Sequence, residues 1–175
     1  KALSPLRVGM VVTGSEVYKG RIEDKFSPVV EEKVKKLGGQ IFRKIYVDDN
    51  TRMIADAIQE IMREKVDLVV VTGGMSVDPD DLTPAGVVVA GGKIISYGSP
   101  TMPGAMFMVA YIGDIPVLGL PGCVMFASTT VFDLILPRIM AGETITRRDI
   151  VKLGHGGLCQ GCSTCRFPAC AFGKA

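Results

Sequence analysis

The sequence lacks an excess of charge of either sign. Its 175 residues include 20 Lys and Arg against 18 Asp and Glu, so the formal net charge is +2. Domains that bind nucleic acid through bulk positive charge are strongly basic. The charge balance therefore excludes that class, although it is compatible with a local basic patch for a phosphate. We expect no nucleic-acid partner.

A hydrophobic run of membrane-spanning length is also missing, although 47% of the residues are hydrophobic. Charged residues or glycines interrupt each apolar stretch before it reaches the roughly 20 residues that a spanning helix needs. The first residues lead directly into a strand-like segment, with no apolar signal-peptide core before a cleavage site. We therefore expect a cytoplasmic protein without a membrane partner.

The body of the chain has almost no cysteine. Cys123 stands alone there, whereas four cysteines occur within the last seventeen residues: Cys159, Cys162, Cys165 and Cys170. In a cytosolic protein, a cluster of this kind is more often a metal site than a disulfide framework. The distribution predicts an α/β domain over residues 1–145 and a Cys-rich tail over residues 146–175.

Strand-like and helix-like segments alternate over the first half of the chain. Buried strands are predicted at residues 6–13, 40–47 and 67–72, and helices at residues 25–37 and 52–64, with a third helix that begins at Thr83. Asp24 is the expected cap of the first helix, and Asn50 or Thr51 that of the second. This alternation is typical of a mostly parallel sheet covered on both faces, which is a three-layer α/β/α sandwich.

The pattern changes after residue 92. Short extended runs are predicted at residues 93–97, 105–112 and 115–120, and Gly113-Asp114 indicates a hairpin turn between the last two. A long helix is predicted from Cys123 to Met140, bent or broken near Pro137.

Glycines and acidic residues follow the predicted strands. In open α/β sheets, ligands bind beyond the carboxyl ends of the strands. Glycines and helix N-termini suit an anion, but neighbouring carboxylates would repel a bare phosphate, so they favour a magnesium ion or a polar heterocycle. An alternative reading is that Gly73-Gly74 forms a tight turn and that Asp81 caps the helix at Thr83.

Four motifs together are more specific than their parts. They are VTGSEV at residues 12–17, VDDN at 47–50, TGGMSVDPDD at 72–81 and IGDIPVLGLPGCVMFA at 112–127. In order and spacing they resemble the molybdopterin-binding domain that molybdopterin adenylyltransferases and molybdopterin molybdenumtransferases share. The resemblance covers residues 6–141, and the fourth motif is more similar to the molybdenumtransferases.

The resemblance implies a ligand, a reaction class and an assembly. Members of this family bind molybdopterin in the loops at these strand ends. The adenylyltransferases attach AMP to its phosphate, and the molybdenumtransferases insert molybdate and release AMP. We therefore expect molybdopterin or its adenylylated form as ligand, Mg²⁺ as cofactor, a transferase role in molybdenum-cofactor biosynthesis, and a homo-oligomer, either a dimer or a trimer.

The same resemblance assigns site residues. Asp48 and Asp81 match the two acidic positions expected to act in catalysis, as magnesium ligands or in positioning the phosphate. The residues expected to bind the ligand are Thr13, Gly14, Ser15, Glu16, Thr72, Gly73, Gly74, Ser76, Asp78, Pro121, Gly122 and Cys123.

Some positions depart from the family pattern. Cys123 replaces an Asn or Gln, Ala105 stands where a lysine is usual, and Asp78 is additional. These changes favour an alternative, a non-catalytic pterin- or nucleotide-binding sensor with a redox- or metal-responsive tail. A further alternative is a hydrolase of nucleotide pyrophosphates. Cys123 itself is either a small buried residue or a thiol whose pKa is lowered by a helix N-terminus.

The tail cysteines follow one another at spacings of three, three and five residues. This pattern is close to the C-x(2)-C-x(2)-C arrangement that binds a four-iron cluster. It favours an iron–sulfur cluster over zinc, which usually takes two well-separated pairs of ligands. Four thiolates complete a tetrahedral set, so His155 is not expected to be a ligand. The alternative is a disordered tail that binds no metal and whose thiols oxidise.

Overall fold

A computed structural model describes residues 2–76, 78 and 81–174. Six strands form one sheet in the order β2-β1-β3-β6-β5-β4. The strands are β1 Arg7–Thr13, β2 Gln40–Val47, β3 Leu68–Thr72, β4 Lys93–Tyr97, β5 Met108–Ile112 and β6 Ile115–Leu120. The helices are α1 Ser15–Tyr18, α2 Phe26–Lys36, α3 Thr51–Arg63, α4 Thr83–Val89, α5 Val131–Met140 and α6 Arg147–Lys152.

Most of the sheet is parallel. Strand β1 pairs in parallel with β2 and β3, and β3 pairs in parallel with β6. Strand β5 is antiparallel to both β6 and β4. The predicted hairpin turn is confirmed, because Ile112 pairs with Ile115 across Gly113-Asp114.

The central strands send alternate side chains to opposite faces of the sheet, as the pleat of a strand requires. In β1, Met10 joins one apolar core and Val11 joins the other. Residues of α2, α5 and α6 cover the first core, and residues of α3 and α4 cover the second. The structure therefore confirms the three-layer α/β/α sandwich.

Helix α3 shows how local sequence specifies an element. The Asn50 side chain accepts hydrogen bonds from the backbone N–H groups of Arg52 and Met53 at 3.0 and 3.1 Å, and such a cap contributes about 1 kcal/mol. Ile54, Ile58 and Ile61 are fully buried, and each stabilises the fold by about 1.5–3 kcal/mol. Asp24 acts similarly for α2, because its Oδ1 accepts from the N–H groups of residues 26 and 27.

The prediction of one helix from Cys123 to Met140 is wrong. A 3₁₀ turn at Gly122–Met125 follows β6, and α5 begins only at Val131. Thr130 and Asp133 form a capping box, in which Asp133 accepts from the Thr130 N–H at 2.7 Å. This reciprocal cap satisfies the first N–H groups of the helix, so the helix begins there. Pro137 lies inside α5, which continues for three residues beyond it.

Some of the residues after 142 still pack against the α/β domain. A second capping box, formed by Thr146 and Asp149, begins α6, and Ile150 and Leu153 are buried in the first core. Within the described residues, no helix is both long enough and apolar enough to span a membrane.

The topology leaves a crevice between β1 and β3. After β1 the chain passes to α2, which lies on the face of the first core, whereas after β3 it passes to α4 on the opposite face. Neighbouring strands whose connections diverge in this way form a topological switch point, where α/β sheets bind ligands.

Candidate ligand-binding cleft

A cleft of about 1010 Å³ lies at this switch point. The loops after β1 and β3 and the start of α2 supply most of its wall. Its described lining residues are Val12, Thr13, Gly14, Ser15, Glu16, Val17, Ile22, Glu23, Asp24, Lys25, Phe26, Asp49, Gly73, Gly74, Asp78, Asp81 and Met125. A cleft of this size accommodates a drug-sized ligand.

The loop after β1 is tied to the end of β2. The Gly14 N–H donates to the carbonyl of Val47 at 3.2 Å, and the Ser15 N–H donates to Asp49 Oδ2 at 2.9 Å. The Ser15 hydroxyl donates to the Asp48 carboxylate. The first wall of the cleft is therefore held in place by the two consecutive aspartates that follow the neighbouring strand β2.

Asp48 lies beside the cleft, outside its described lining. The Ser15 hydroxyl, followed by the Asp49 N–H and the Lys19 ammonium, stabilises its charged form, and together they lower the pKa of the Asp48 carboxyl. Lys19 Nζ is 3.5 Å from its Oδ2. The structure therefore shows Asp48 orienting the Ser15 loop, while Asp49 is the member of the pair that lines the cleft.

The loop after β3 requires glycine at its first position. Gly73 has φ of +86°, and a Cβ atom there would lie 2.2 Å from the carbonyl oxygen of Thr13. Thr83, the first residue of α4, donates its hydroxyl to the carbonyl of Gly73 at 2.9 Å. Its Oγ1 also lies 3.3 Å from that of Thr13, so one buried threonine holds both walls together.

Asp81 closes the loop after β3 by accepting a hydrogen bond from the Ser76 N–H. Its own N–H donates to the carbonyl of Asp78 at 3.1 Å. Among the residues described, no side chain caps α4, so the structure does not support the alternative that Asp81 caps this helix. Tyr97 donates its hydroxyl to the carbonyl of Ser76 at 2.9 Å, and burial together with the Asp81 charge raises the pKa of this phenol. Val77, Pro79 and Asp80 of the same motif lie outside the described residues.

The cleft is acidic. Its described lining contains six carboxylates, from Glu16, Glu23, Asp24, Asp49, Asp78 and Asp81, and one ammonium group, from Lys25. Burial would raise the pKa of Asp24, but hydrogen bonds from Ser27, Tyr46 and Phe26 outweigh it and lower the pKa overall. A bare phosphate is disfavoured in such a field, whereas a cation-bound phosphate or a heterocycle with N–H donors is favoured.

The structure brings together seven of the twelve predicted ligand-binding residues: Thr13, Gly14, Ser15, Glu16, Gly73, Gly74 and Asp78. The other five, Thr72, Ser76, Pro121, Gly122 and Cys123, are outside the lining as far as it is described. Thr72 is fully buried, and within the described part of the chain its hydroxyl has no hydrogen-bond partner.

Sequence reasoning missed several lining residues. Asp24 and Lys25 were expected only at the start of α2, and Met125 only within the predicted helix from Cys123 to Met140. The start of α2 lies near the strand ends only because of the way the chain folds, which the sequence does not show directly. A single carboxylate before a helix predicts a helix cap and does not indicate a ligand-binding site. Cys123 lies in the 3₁₀ turn, and burial raises the pKa of its thiol. The structure therefore does not support the alternative that a helix N-terminus lowers the pKa of the Cys123 thiol.

The acidic residues are compatible with magnesium. Among the described residues, no three Asp, Glu, His or Cys side chains are grouped as a complete metal site. Mg²⁺, however, is usually held by one or two carboxylates together with substrate phosphates and water. Asp49 and Asp81 line the same cleft and bond to backbone N–H groups through Oδ2. Carboxylate oxygens are donors of the kind that such an ion takes.

Comparison with known proteins supports the fold. A family model described as a probable molybdopterin binding domain matches residues 9–141. A CinA-like protein of Mycobacterium sp. (strain MCS) is 36% identical over 81 residues, which are 46% of this chain and 19% of that protein. The chain thus spans only about a fifth of the length of this curated relative.

Solved structures share the architecture. The tungsten cofactor synthesizing protein MoaB from Pyrococcus furiosus superposes with a TM-score of 0.63 at 23% identity, over 78% of this chain and 94% of that one. The molybdopterin biosynthesis MoeA protein from Pyrococcus horikosii gives a TM-score of 0.60 at 25% identity, over 78% of this chain and 34% of that one. With the family match over residues 9–141, these findings show that the chain belongs to the molybdopterin-binding domain family.

Proposed function

We propose that the cleft between β1 and β3 binds a molybdopterin species, as part of molybdenum-cofactor biosynthesis. The observation that carries the proposal is the joining of two glycine loops at the switch point, through Thr83 and Gly73, beside an acidic wall. The family match names the ligand class. Self-association as a dimer or trimer belongs to the same proposal.

The acidic wall is suited to the pterin ring. The ring carries an amino group and ring N–H groups, and carboxylates such as Glu16 and Asp24 accept hydrogen bonds from donors of this kind. The terminal phosphate requires the opposite character. Lys25 is the ammonium group of the described lining, and Gly73-Gly74 lets a phosphate approach the backbone closely.

Magnesium would be held by Asp49 and Asp81, together with the ligand phosphate. When bound there, Mg²⁺ neutralises the negative charge that opposes phosphate binding in an acidic cleft. Asp48 acts indirectly in this proposal, because it holds the Ser15 hydroxyl and thereby the loop that faces Asp49. Its predicted role in catalysis is thus proposed as one of positioning.

The test is calorimetric titration of the anaerobically purified chain with molybdopterin and with adenylylated molybdopterin, with and without Mg²⁺. We expect binding that depends on Mg²⁺ and that weakens at least tenfold in Asp81→Asn, which corresponds to about 1.4 kcal/mol. The matched control is Asp56→Asn, since Asp56 is exposed on α3 and pairs with Arg52.

Three results have distinct meanings. Release of AMP from the adenylylated ligand on addition of molybdate, lost in Asp81→Asn, establishes a molybdenumtransferase. Binding without release establishes the non-catalytic alternative, which the Ala105 and Cys123 replacements favour. Release of AMP from dinucleotides in the absence of pterin, with no pterin binding, contradicts the proposal and establishes a pyrophosphate hydrolase.

A further inference from the structure

The four cysteines of the tail line one pocket. Cys159, Cys162, Cys165 and Cys170 surround a cavity of about 370 Å³, together with residues of two body loops, including Met102 and Phe126. This cavity is separate from the acidic cleft, since the described linings of the two have no residue in common.

The segment that carries the cysteines is anchored before the first of them. The Met102 N–H donates to the carbonyl of Gly157 at 2.6 Å, and the Cys159 N–H donates to the carbonyl of Met102 at 2.8 Å. Residues 102 and 158 thereby form a parallel β-bridge. The beginning of the cysteine-containing segment is consequently held against the α/β body.

The segment is anchored again after the last cysteine. The Gly173 N–H donates to the carbonyl of Gly156 at 2.9 Å, and the Phe172 side chain is only 4% exposed. The chain from 156 to 173 is therefore a closed loop, with all four thiols between its two fastened ends.

Two glycines permit this closure. A Cβ atom at Gly156 would lie 2.1 Å from the carbonyl oxygen of Ala171, and one at Gly157 would lie 2.3 Å from that of Pro100. Any larger residue at either position would force the loop away from the body. The two glycines thus allow the loop to lie against the body.

The thiols are free to bind a metal group. All five cysteines of the chain are unpaired, with Cys162 and Cys165 exposed and Cys159 and Cys170 half-buried. His155 is exposed and lies outside the lining of the pocket, as far as the lining is described, in agreement with a site made of thiols alone.

The spacing of the cysteines along the chain favours a cluster over a single ion. The three-residue spacing of the first three cysteines is typical of four-iron clusters, whereas structural zinc usually takes two well-separated pairs of ligands. Within the described residues, which include all four tail cysteines, no group of three or more ligands is placed to hold a metal ion, so loading the pocket would draw the thiols together.

We propose that this pocket binds a [4Fe–4S] cluster through the four thiolates of Cys159, Cys162, Cys165 and Cys170. Phe167 and the buried Phe172 would form an apolar wall on one side of the cluster. This proposal does not depend on which ligand the acidic cleft binds.

The test is anaerobic reconstitution of the full chain with iron and sulfide, followed by metal and sulfide analysis and by Mössbauer spectroscopy. We expect about four iron and four sulfide per chain. Cys162→Ser and Cys165→Ser should lose the cluster. The matched control, Cys123→Ser, removes a thiol outside the pocket and should retain it.

Other outcomes overturn the proposal. One zinc per chain in place of iron, or no bound metal in the wild-type chain, excludes the cluster without reference to any variant. Equal iron content in Cys162→Ser and in the wild type excludes these thiols as ligands. The far-UV circular dichroism of each serine variant is recorded to show that a loss of iron does not reflect unfolding.

Discussion

Thr83 joins two strand ends that are remote in sequence by donating its buried hydroxyl to the carbonyl oxygen of Gly73 at 2.9 Å. The same Oγ1 lies 3.3 Å from that of Thr13. The shape of the cleft therefore depends on a residue that need not touch the ligand. Substitutions at Thr83 test how the two loops are held together without changing the groups that line the cleft.

Thr83→Val should destabilise the chain. Valine has nearly the same shape as threonine, but the variant leaves the carbonyl of Gly73 without its donor, at a cost of about 1–3 kcal/mol. Chemical denaturation measures this loss as a lower midpoint with an unchanged slope. Thr83→Ser retains the hydroxyl and should lose less, and equal losses in both variants would assign the effect to packing instead.

Gly73→Ala should cost more than an ordinary surface substitution. The backbone at Gly73 has φ of +86°, and the added Cβ would meet the carbonyl of Thr13 at 2.2 Å. Strain of this kind costs about 1–3 kcal/mol, and the shift should also weaken ligand binding. The control is Gly113→Ala, since Gly113 has φ of +57° with nothing within 4 Å of the added atom. If both variants lose the same stability, the close approach has no energetic effect.

Asp48 and Asp49 should respond differently to the same change. Asp49→Asn removes a charge from the wall of the cleft, whereas Asp48→Asn alters the partner of the Ser15 hydroxyl outside it. We expect Asp49→Asn to abolish the effect of Mg²⁺ on ligand affinity and Asp48→Asn to lower affinity with the Mg²⁺ effect retained. Calorimetric titration at several Mg²⁺ concentrations distinguishes them. A lost Mg²⁺ effect in Asp48→Asn alone would restore Asp48 as the ligand.

Asp149 should contribute stability that disappears in acid. Hydrogen bonds from Thr146 and Arg138 lower its pKa in the folded chain. A lowered folded pKa means that this stability is complete above the unfolded aspartate pKa of about 3.9 and is lost as the pH falls through the folded value. Asp149→Asn should therefore cost about 1 kcal/mol near neutral pH, the value of a helix cap.

The measurement is the denaturation midpoint of Asp149→Asn and the wild type over a series of pH values. The substitution removes the charge that pairs with Arg138, whose Nη2 lies 2.8 Å from Asp149 Oδ1. The two curves should converge as the pH falls below the ordinary aspartate range. An unchanging difference at every pH would show that the carboxylate charge has no part in the cap.

The layers of the fold were predictable because strong local signals agreed with one another. Strand β3 is a run of five buried residues, and α3 has a cap at Asn50 followed by isoleucines at helical spacing. A buried run of that length between glycine or polar boundaries has few other structures available to it. The parallel order then followed from the alternation of elements.

The start of α5 was missed although the sequence contains the signal. Thr130 and Asp133 have the spacing of a capping box, but the apolar residues from 123 onward suggested a longer helix. The helix begins at the capping box because the cap satisfies the first backbone N–H groups of α5. In a longer helix, the preceding turn would have satisfied these groups instead. Local polar chemistry, rather than hydrophobicity, determines this boundary.

The choice between Asp48 and Asp49 was not available from the sequence. Successive residues beyond a strand point in different directions, and which of them faces the cleft depends on how β2 is positioned against β1. The pairing of Thr13 with Val47 fixes that position. The inclusion of Asp24 in the wall follows in the same way from where α2 packs.

The short segment from Met125 to Thr129 lies between the acidic cleft and the thiol pocket and contributes residues to both. Met125 lines the acidic cleft, and its neighbours from Phe126 onward line the thiol pocket. Since the two cavities use adjacent residues of one chain segment, neither can be reshaped there without disturbing the other. If both proposed ligands bind, variation at this segment is constrained by the two at once, and an engineer who wishes to alter one site alone must work from the opposite wall.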